Sequence, residues 1–274
     1  MVEPHGIRLA CVLAHPDDES LGAGGTLARY AAEGVEIHVV TATRGQAGRY
    51  KDNTNHPGPE ALGRIREAEL RAAAKELGVH DVRFLDYADG ALDRMEPREA
   101  ISRIVGHLRR IRPHVVITFG PDGAYGHPDH IAISQLTTAA IVQAADGAYR
   151  PPDGSDPGAP HAVSKLYYMA WSNAKWAAYQ AAFKKLVSRV DGEERQAAPW
   201  PDWAITTTID TAEHWPAVWR AVRCHESQMA IYGPLGELSE AHHRGLWGVQ
   251  EFYRVLSLVN GGRQKETDLL EGLR

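Results

Sequence analysis

The chain reads as an α/β protein, a Rossmann-like three-layer α/β/α sandwich built on a mostly parallel sheet. Three observations carry that expectation. Short apolar runs with strand character alternate with longer stretches of helical periodicity. That alternation is the pattern of a parallel sheet covered on both faces by helices. Two of the apolar runs end in polar breaks rich in His, Asp and Gly, and in such sheets ligands bind outside the carboxyl ends of the strands.

The elements follow in order. Ile7 to Ala14 is a largely apolar strand running into His15-Pro16-Asp17-Asp18, a break of turn and capping residues. A helix through Thr26 to Glu33 stops at Gly34, and Val35 to Thr41 is the second strand. The stretch from Arg44 to Pro59 is a long loop, of the length that tends to be functional. Ala61 to Leu77 has apolar residues at helical spacing and ends at Gly78, before a third strand at Val82 to Leu85. The helix carrying Ile101 to Ile111 ends at Pro113, and His114 to Phe119 is the next strand. After the second break, Gly120 to His130, comes a helix over Ile131 to Ala145 and an exposed loop at Arg150 to Pro160. Strands at Lys165 to Ala170, Ala204 to Ile209 and Phe252 to Leu256, with a helix from about Ala212 to Gln228, complete the reading.

Composition narrows the function classes. The 274 residues carry 30 Lys and Arg against 35 Asp and Glu, a net charge of −5, with 43% hydrophobic residues and a sequence pI near 6.3. A mildly acidic chain without a dense basic run lacks the footprint of a nucleic-acid binder. No apolar stretch is long enough to span a bilayer, and the segment Met1 to Gly6 has no basic leader character, so the expected location is the cytoplasm. Cys11 and Cys224 stand far apart in no C-x-x-C pair and read as buried thiols. The 14 histidines are a large number for a residue whose common tasks are metal ligation and proton transfer.

The two breaks carry the chemistry. His15-Pro16-Asp17-Asp18-Glu19 packs an imidazole and three carboxylates into one turn, which a divalent cation would balance. The segment from Gly120 to His130 adds Tyr125, His127, Asp129 and His130 at an equivalent turn. Three ligands of type His, Asp and His with an open fourth position are what a catalytic zinc requires. Gly22, Gly24 and Gly25 imitate a dinucleotide-binding turn. The third glycine of that fingerprint should fall where Leu27 stands, so close packing is the better reading.

These residues resemble the LmbE-like or PIG-L N-acetylglucosamine deacetylases, the family that includes the deacetylase and amidase of mycothiol metabolism. The resemblance rests on Ala14 to Glu19 with Leu21 to Gly25, on Thr43-Arg44-Gly45, on Arg66 to Glu69, on Asp89-Gly90, on Tyr125 to His130 and on His225 to Gln228. It implies that His15, Asp18 and His130 bind zinc, with Fe2+, Co2+ or Mn2+ not excluded by the donor types. It implies further that Asp17 is the general base and that His127 stabilises the intermediate or protonates the leaving amine. Asp129 would orient His127, and Tyr125 would polarise the acetyl carbonyl. Arg66 and Asp89 match active-site or substrate-contacting positions. Apart from the resemblance, Arg44 and Arg49 in the second loop could read sugar hydroxyls or a phosphate, although an exposed arginine is usually solvated surface.

The expected function is then zinc-dependent removal of an acetyl group from a small N-acetylglucosaminyl compound. The expected organisation is a single deacetylase domain over 1–274, with 146–274 as a subregion for substrate selectivity and a homo-oligomer possible. Two other readings stand beside it: an amidase acting on a larger thiol-conjugate or peptide-like amide, and a metal-binding module without turnover. His225 and Gln228 are divided evenly between supporting the site and helix packing, His242 and His243 read as an exposed loop, and the seven tryptophans from Trp171 onward read mainly as packing residues.

Overall fold

The computed structural model describes residues 6–183, 187–190, 192–262 and 264–274. The leader reading of the first segment thus falls, apart from Gly6, outside the described residues. The strands are β1 (Arg8–Leu13), β2 (Glu36–Thr43), β3 (Asp81–Tyr87), β4 (Val115–Thr118), β5 (Lys165–Met169), β6 (Val187–Val190), β7 (Glu193–Gln196), β8 (Thr207–Asp210) and β9 (Val249–Ser257). The helices are α1 (Asp18–Ala32), α2 (Pro59–Glu76), α3 (Pro97–Ile111), the single irregular turn α4 (Gly123–Gly126), α5 (Pro128–Ala145), α6 (Asn173–Phe183), α7 (Trp215–Cys224), α8 (Met229–Tyr232) and α9 (Glu240–Trp247).

Seven strands form one sheet in the order β3-β2-β1-β4-β5-β9-β8, in which β1 to β5 pair in parallel and β9 runs antiparallel to both β5 and β8. β1 sits near the middle, with Leu9 opposite Ile37 on one side and Val115 on the other. Its residues are buried from Leu9 to Leu13, as a strand covered on both faces requires. The helices gather in two groups, α3 against α5 and both α1 and α2 against α7. The order of connection reverses between β1 and β4, so the two polar breaks leave adjacent strands at the switch point of the sheet. That adjacency places His15 beside His130.

Several boundaries differ from the sequence reading. α1 starts at Asp18, well before Thr26, because Gly22, Gly24 and Gly25 lie inside the helix. Their helix cost hid the start. A Cβ at Gly25 would meet the Thr211 side chain at 2.8 Å, and one at Gly24 the Val218 methyls at 3.2 Å, so these glycines let α1 press on β8 and α7. The helix expected over Ala212 to Gln228 is shorter, ending at Cys224, and α6, α9 and the β6–β7 hairpin went unread. His243 is buried rather than in a loop: it lies on α9, bonded to the Leu235 carbonyl and stacked among Trp215, Trp219 and Trp247. Cys11 is buried as expected, whereas Cys224 is partly exposed.

Candidate metal centre and active site

The turn after β1 places its side chains by backbone strain and local bonding. Asp17 has φ 104, a conformation few non-glycine residues adopt. It is held there from two sides. Its amide donates to Glu19 Oε2 at 2.9 Å, and its Oδ2 accepts from Arg66 Nη2 at 2.9 Å and from the Tyr232 hydroxyl at 2.7 Å. Asp18 opens α1, and its Oδ2 accepts from the amides of Ala14 and His15. Across the switch point, His127 caps α5 by accepting the Asp129 amide on Nδ1, with Pro128 at the first helical position.

The donors converge. His15 Nδ1 lies 3.2 Å from His130 Nε2, His130 Nε2 lies 3.4 Å from Asp18 Oδ1, and His15 Nδ1 lies 3.8 Å from Asp18 Oδ2. Tetrahedral zinc with metal–ligand distances near 2.0–2.1 Å separates its ligands by about 3.3 Å; the His15 and His130 nitrogens stand at that spacing, and Asp18 approaches them through different oxygens, Oδ1 toward His130 and Oδ2 toward His15. His15, His127 and His130 form one group with ligand atoms within 4.8 Å of one another, and His15, Asp89 and Asp129 form another.

The other face of His15 is fixed by carboxylates. Nε2 meets Asp129 Oδ2 at 3.1 Å and Asp89 Oδ1 at 3.0 Å. Asp129 also accepts the amides of Gly90 and Leu92, and Asp89 accepts the amide of Ala47. The Asp129 carboxylate thus meets the His15 ring and two amides of the turn after β3, while its backbone amide meets His127 Nδ1. Asp89 meets the same His15 ring and the Ala47 loop, and it is not among the residues lining the cleft described below.

The electrostatics follow from burial. Burial alone would lower the His15 pKa, and the hydrogen bonds to Asp129 and Asp89 overcome it, raising the value to about 10. Burial pushes Asp18 up to about 7. Burial and the charge on His15 lower His127 to about 4 and hold His130 well below the usual histidine range. The pocket therefore attracts positive charge at its centre, and a proton and a cation compete for the same nitrogen.

Arg66 is 4% exposed and spans the carbonyls of Gly45 and Pro16 and the carboxylate of Asp17, so it positions the turn. Arg44 points away, bonded to Glu67 and Asp86 and lying over the Phe84 ring.

Sequence reasoning missed Tyr232, which comes from a one-turn helix without a motif of its own. It gave no role to Glu19 beyond its charge. Glu19 is fully buried and bonded to His225 Nε2 at 2.9 Å. The His225-to-Gln228 segment supports the site from outside: Ser227 binds Glu69 through its amide and hydroxyl, and Gln228 donates to the Arg49 carbonyl. A cleft of about 570 Å³ opens from Asp17, Asp18, Tyr125 and His130 and runs between Phe119, Trp171, Tyr179 and Ile231.

Comparison with known proteins matches this geometry to a family. Residues 10–141 match the family model described as PIG-L, GlcNAc-PI de-N-acetylase. A 1D-myo-inositol 2-acetamido-2-deoxy-alpha-D-glucopyranoside deacetylase of Streptomyces griseus is 37% identical, over 97% of this chain and 89% of the relative. Among solved structures, the conserved protein TT1542 from Thermus thermophilus is 26% identical with a TM-score of 0.66, over 95% of this chain and 98% of that one. The N,N'-diacetylchitobiose deacetylase from Pyrococcus horikoshii, at 21% identity and a TM-score of 0.65 over 90% and 83% of the two chains, shares the fold. The chain belongs to the PIG-L family of N-deacetylases, metal-dependent hydrolases of an amide bond.

Proposed function

We propose that this protein is a zinc-dependent N-deacetylase acting on a small N-acetylglucosaminyl compound of the glucosaminyl-inositol kind. The observation that carries it is the convergence of His15, Asp18 and His130 at ligand-to-ligand distances beside a carboxylate, Asp17, whose Oδ2 is already bonded twice. The relative from Streptomyces griseus supports the substrate class by its name. A cytoplasmic location and a single domain, with 146–274 setting selectivity, belong to the same proposal; among the described residues no helix is long and apolar enough to cross a membrane.

His15, Asp18 and His130 would hold the ion. A divalent cation bound there would acidify water and polarise the acyl carbonyl. Asp17 takes a proton from the attacking water, its Oδ2 fixed by Arg66 and Tyr232 so that Oδ1 is the accepting atom. His127 is neutral near pH 7, because burial and the neighbouring His15 lower its pKa to about 4. Nδ1 accepts the Asp129 amide, so the imidazole proton sits on Nε2 and can be donated as a hydrogen bond to charge developing on the substrate. Tyr125, packed edge-on against His127 and His130, adds a second donor at the same place. The proton held by Asp17 then passes to the leaving amine.

Acetate release from an N-acetylated glucosaminyl-inositol tests this. Chelated protein should be inactive, zinc should restore release, and His130→Ala should abolish both zinc retention and release. Zinc retained with no acetate from any amino sugar would overturn the deacetylase reading.

A further inference from the structure

The cleft beside the metal donors is much larger than an acetyl group needs, and past its reacting end the described residues offer few polar groups. At its reacting end stand Asp17, Asp18, Tyr125 and His130. Beyond them its walls are apolar or aromatic, formed in part by Leu21, Phe119, Trp171, Ala182, Val187 and Ile231, and no acidic, basic or amide side chain lines that part among the described residues. The hydroxyls that reach it have partners: Tyr179 donates to the Leu21 carbonyl and Tyr232 to Asp17. Trp171 stacks on Tyr179 with ring centroids 4.4 Å apart, giving a flat apolar floor.

A polyol in this space would leave its hydroxyls without hydrogen bonds, at a cost for each one buried. The reacting carbon of an amide carries two arms, the amine and the acyl group. If the amine arm is an amino sugar, its hydroxyls need partners outside this cleft, and the acyl arm is left with the apolar walls.

We infer that the cleft is an acyl-binding subsite and that this protein hydrolyses N-acyl amino sugars with unbranched apolar acyl groups longer than acetyl. The inference rests on the proposed amide hydrolysis and names the acyl class it favours. In the reaction the water oxygen bonds to the acyl carbon, the carbon–nitrogen bond breaks with its electron pair going to nitrogen, and nitrogen takes a proton from Asp17. The products are the fatty carboxylate and the free amino sugar.

The test follows release of free glucosamine by zinc-loaded protein from N-acetyl-, N-butyryl-, N-hexanoyl- and N-octanoylglucosamine, so that one product reports on every member. Burial of each methylene should raise kcat/KM roughly three- to fourfold, at least about tenfold from acetyl to hexanoyl once ordering of the chain is counted. Ala182→Trp, which fills the cleft wall, should lower the ratio of hexanoyl to acetyl turnover. A flat or falling wild-type series with acetyl cleaved would overturn the acyl subsite and leave the deacetylase standing. Preference for an octyl aglycone in place of a long acyl group would put the amine arm in the cleft and likewise overturn the inference. Release from no member, with acetate still released from an N-acetylated glucosaminyl-inositol, would overturn the inference alone, and release from neither would overturn both readings.

Discussion

Residues 8–145 and residues 146–274 meet at one cleft and bring different chemistry to it. The first part supplies Asp17, Asp18, Tyr125 and His130 from the segments after β1 and β4, with Leu21 and Phe119 beside them. The second supplies Trp171, Tyr179, Ala182, Val187 and Ile231, with Tyr232 reaching back to Asp17. The family model matches only the first part, at residues 10–141. The comparison teaches that the polar donors gather where the parallel strands end, whereas the rest of the chain contributes mainly apolar wall.

Substitutions can break that division, beginning with the largest effect. Asp17→Asn should lower kcat by about 10²- to 10⁴-fold, the usual worth of a positioned base, with zinc content by elemental analysis unchanged. Loss of zinc instead would make Asp17 a ligand. Asp129→Asn, which weakens the hold on His15 Nε2, should reduce zinc affinity by roughly 10- to 100-fold in a competition with a chelating dye. An unchanged affinity would favour the role of orienting His127.

The second part has a buried ion pair of its own, outside the site. Lys165 on β5 meets Glu266 at 2.6 Å, and Tyr167 and Thr207 bond the same carboxylate. Burial alone would raise the Glu266 pKa, but Lys165 and the hydrogen bonds around it hold it at about 2. A carboxylate depressed by folding contributes its stability in full above the ordinary range and loses it as pH falls through the folded value. Thermal melts should therefore drop between about pH 4.5 and pH 2, the ordinary carboxylate range and the folded value. Glu266→Gln should flatten that drop and cost about 3–5 kcal/mol at pH 7 while leaving zinc affinity intact. The smallest effect belongs to Arg44→Ala: its partners Glu67 and Asp86 lie on the surface, so stability should change by less than about 1 kcal/mol. A loss of kcat/KM there would support a substrate contact at Arg44.

The same division explains what the sequence made legible. Parallel strands buried on both faces leave continuous apolar runs, so β1 to β5 could be read closely, and the donors could be named because they cluster within two short turns. What Asp129, Asp89 and Arg66 touch could not be read, since each is aimed by contacts far along the chain: Arg66 reaches Asp17, and Asp129 reaches His15. α6 was hidden by a composition rich in Ala and aromatic residues without a clear apolar stripe, and α9, eight residues long with Gly245 inside it, was too short to show a period. Tyr232 was invisible for the same reason. A lone aromatic in a short turn carries no periodic signal, and only the folded chain brings it to a carboxylate.

The pairing of Lys165 with Glu266 sets an order of events in the cell. The two residues lie 101 positions apart, a delay of roughly 5–20 s on the ribosome. During that interval every histidine and aspartate of the metal centre has already been made, while β5 carries an ammonium that cannot yet be buried. Burying that ammonium without its carboxylate is costly, so closing the sheet over Lys165 is favoured only once Glu266 has been made.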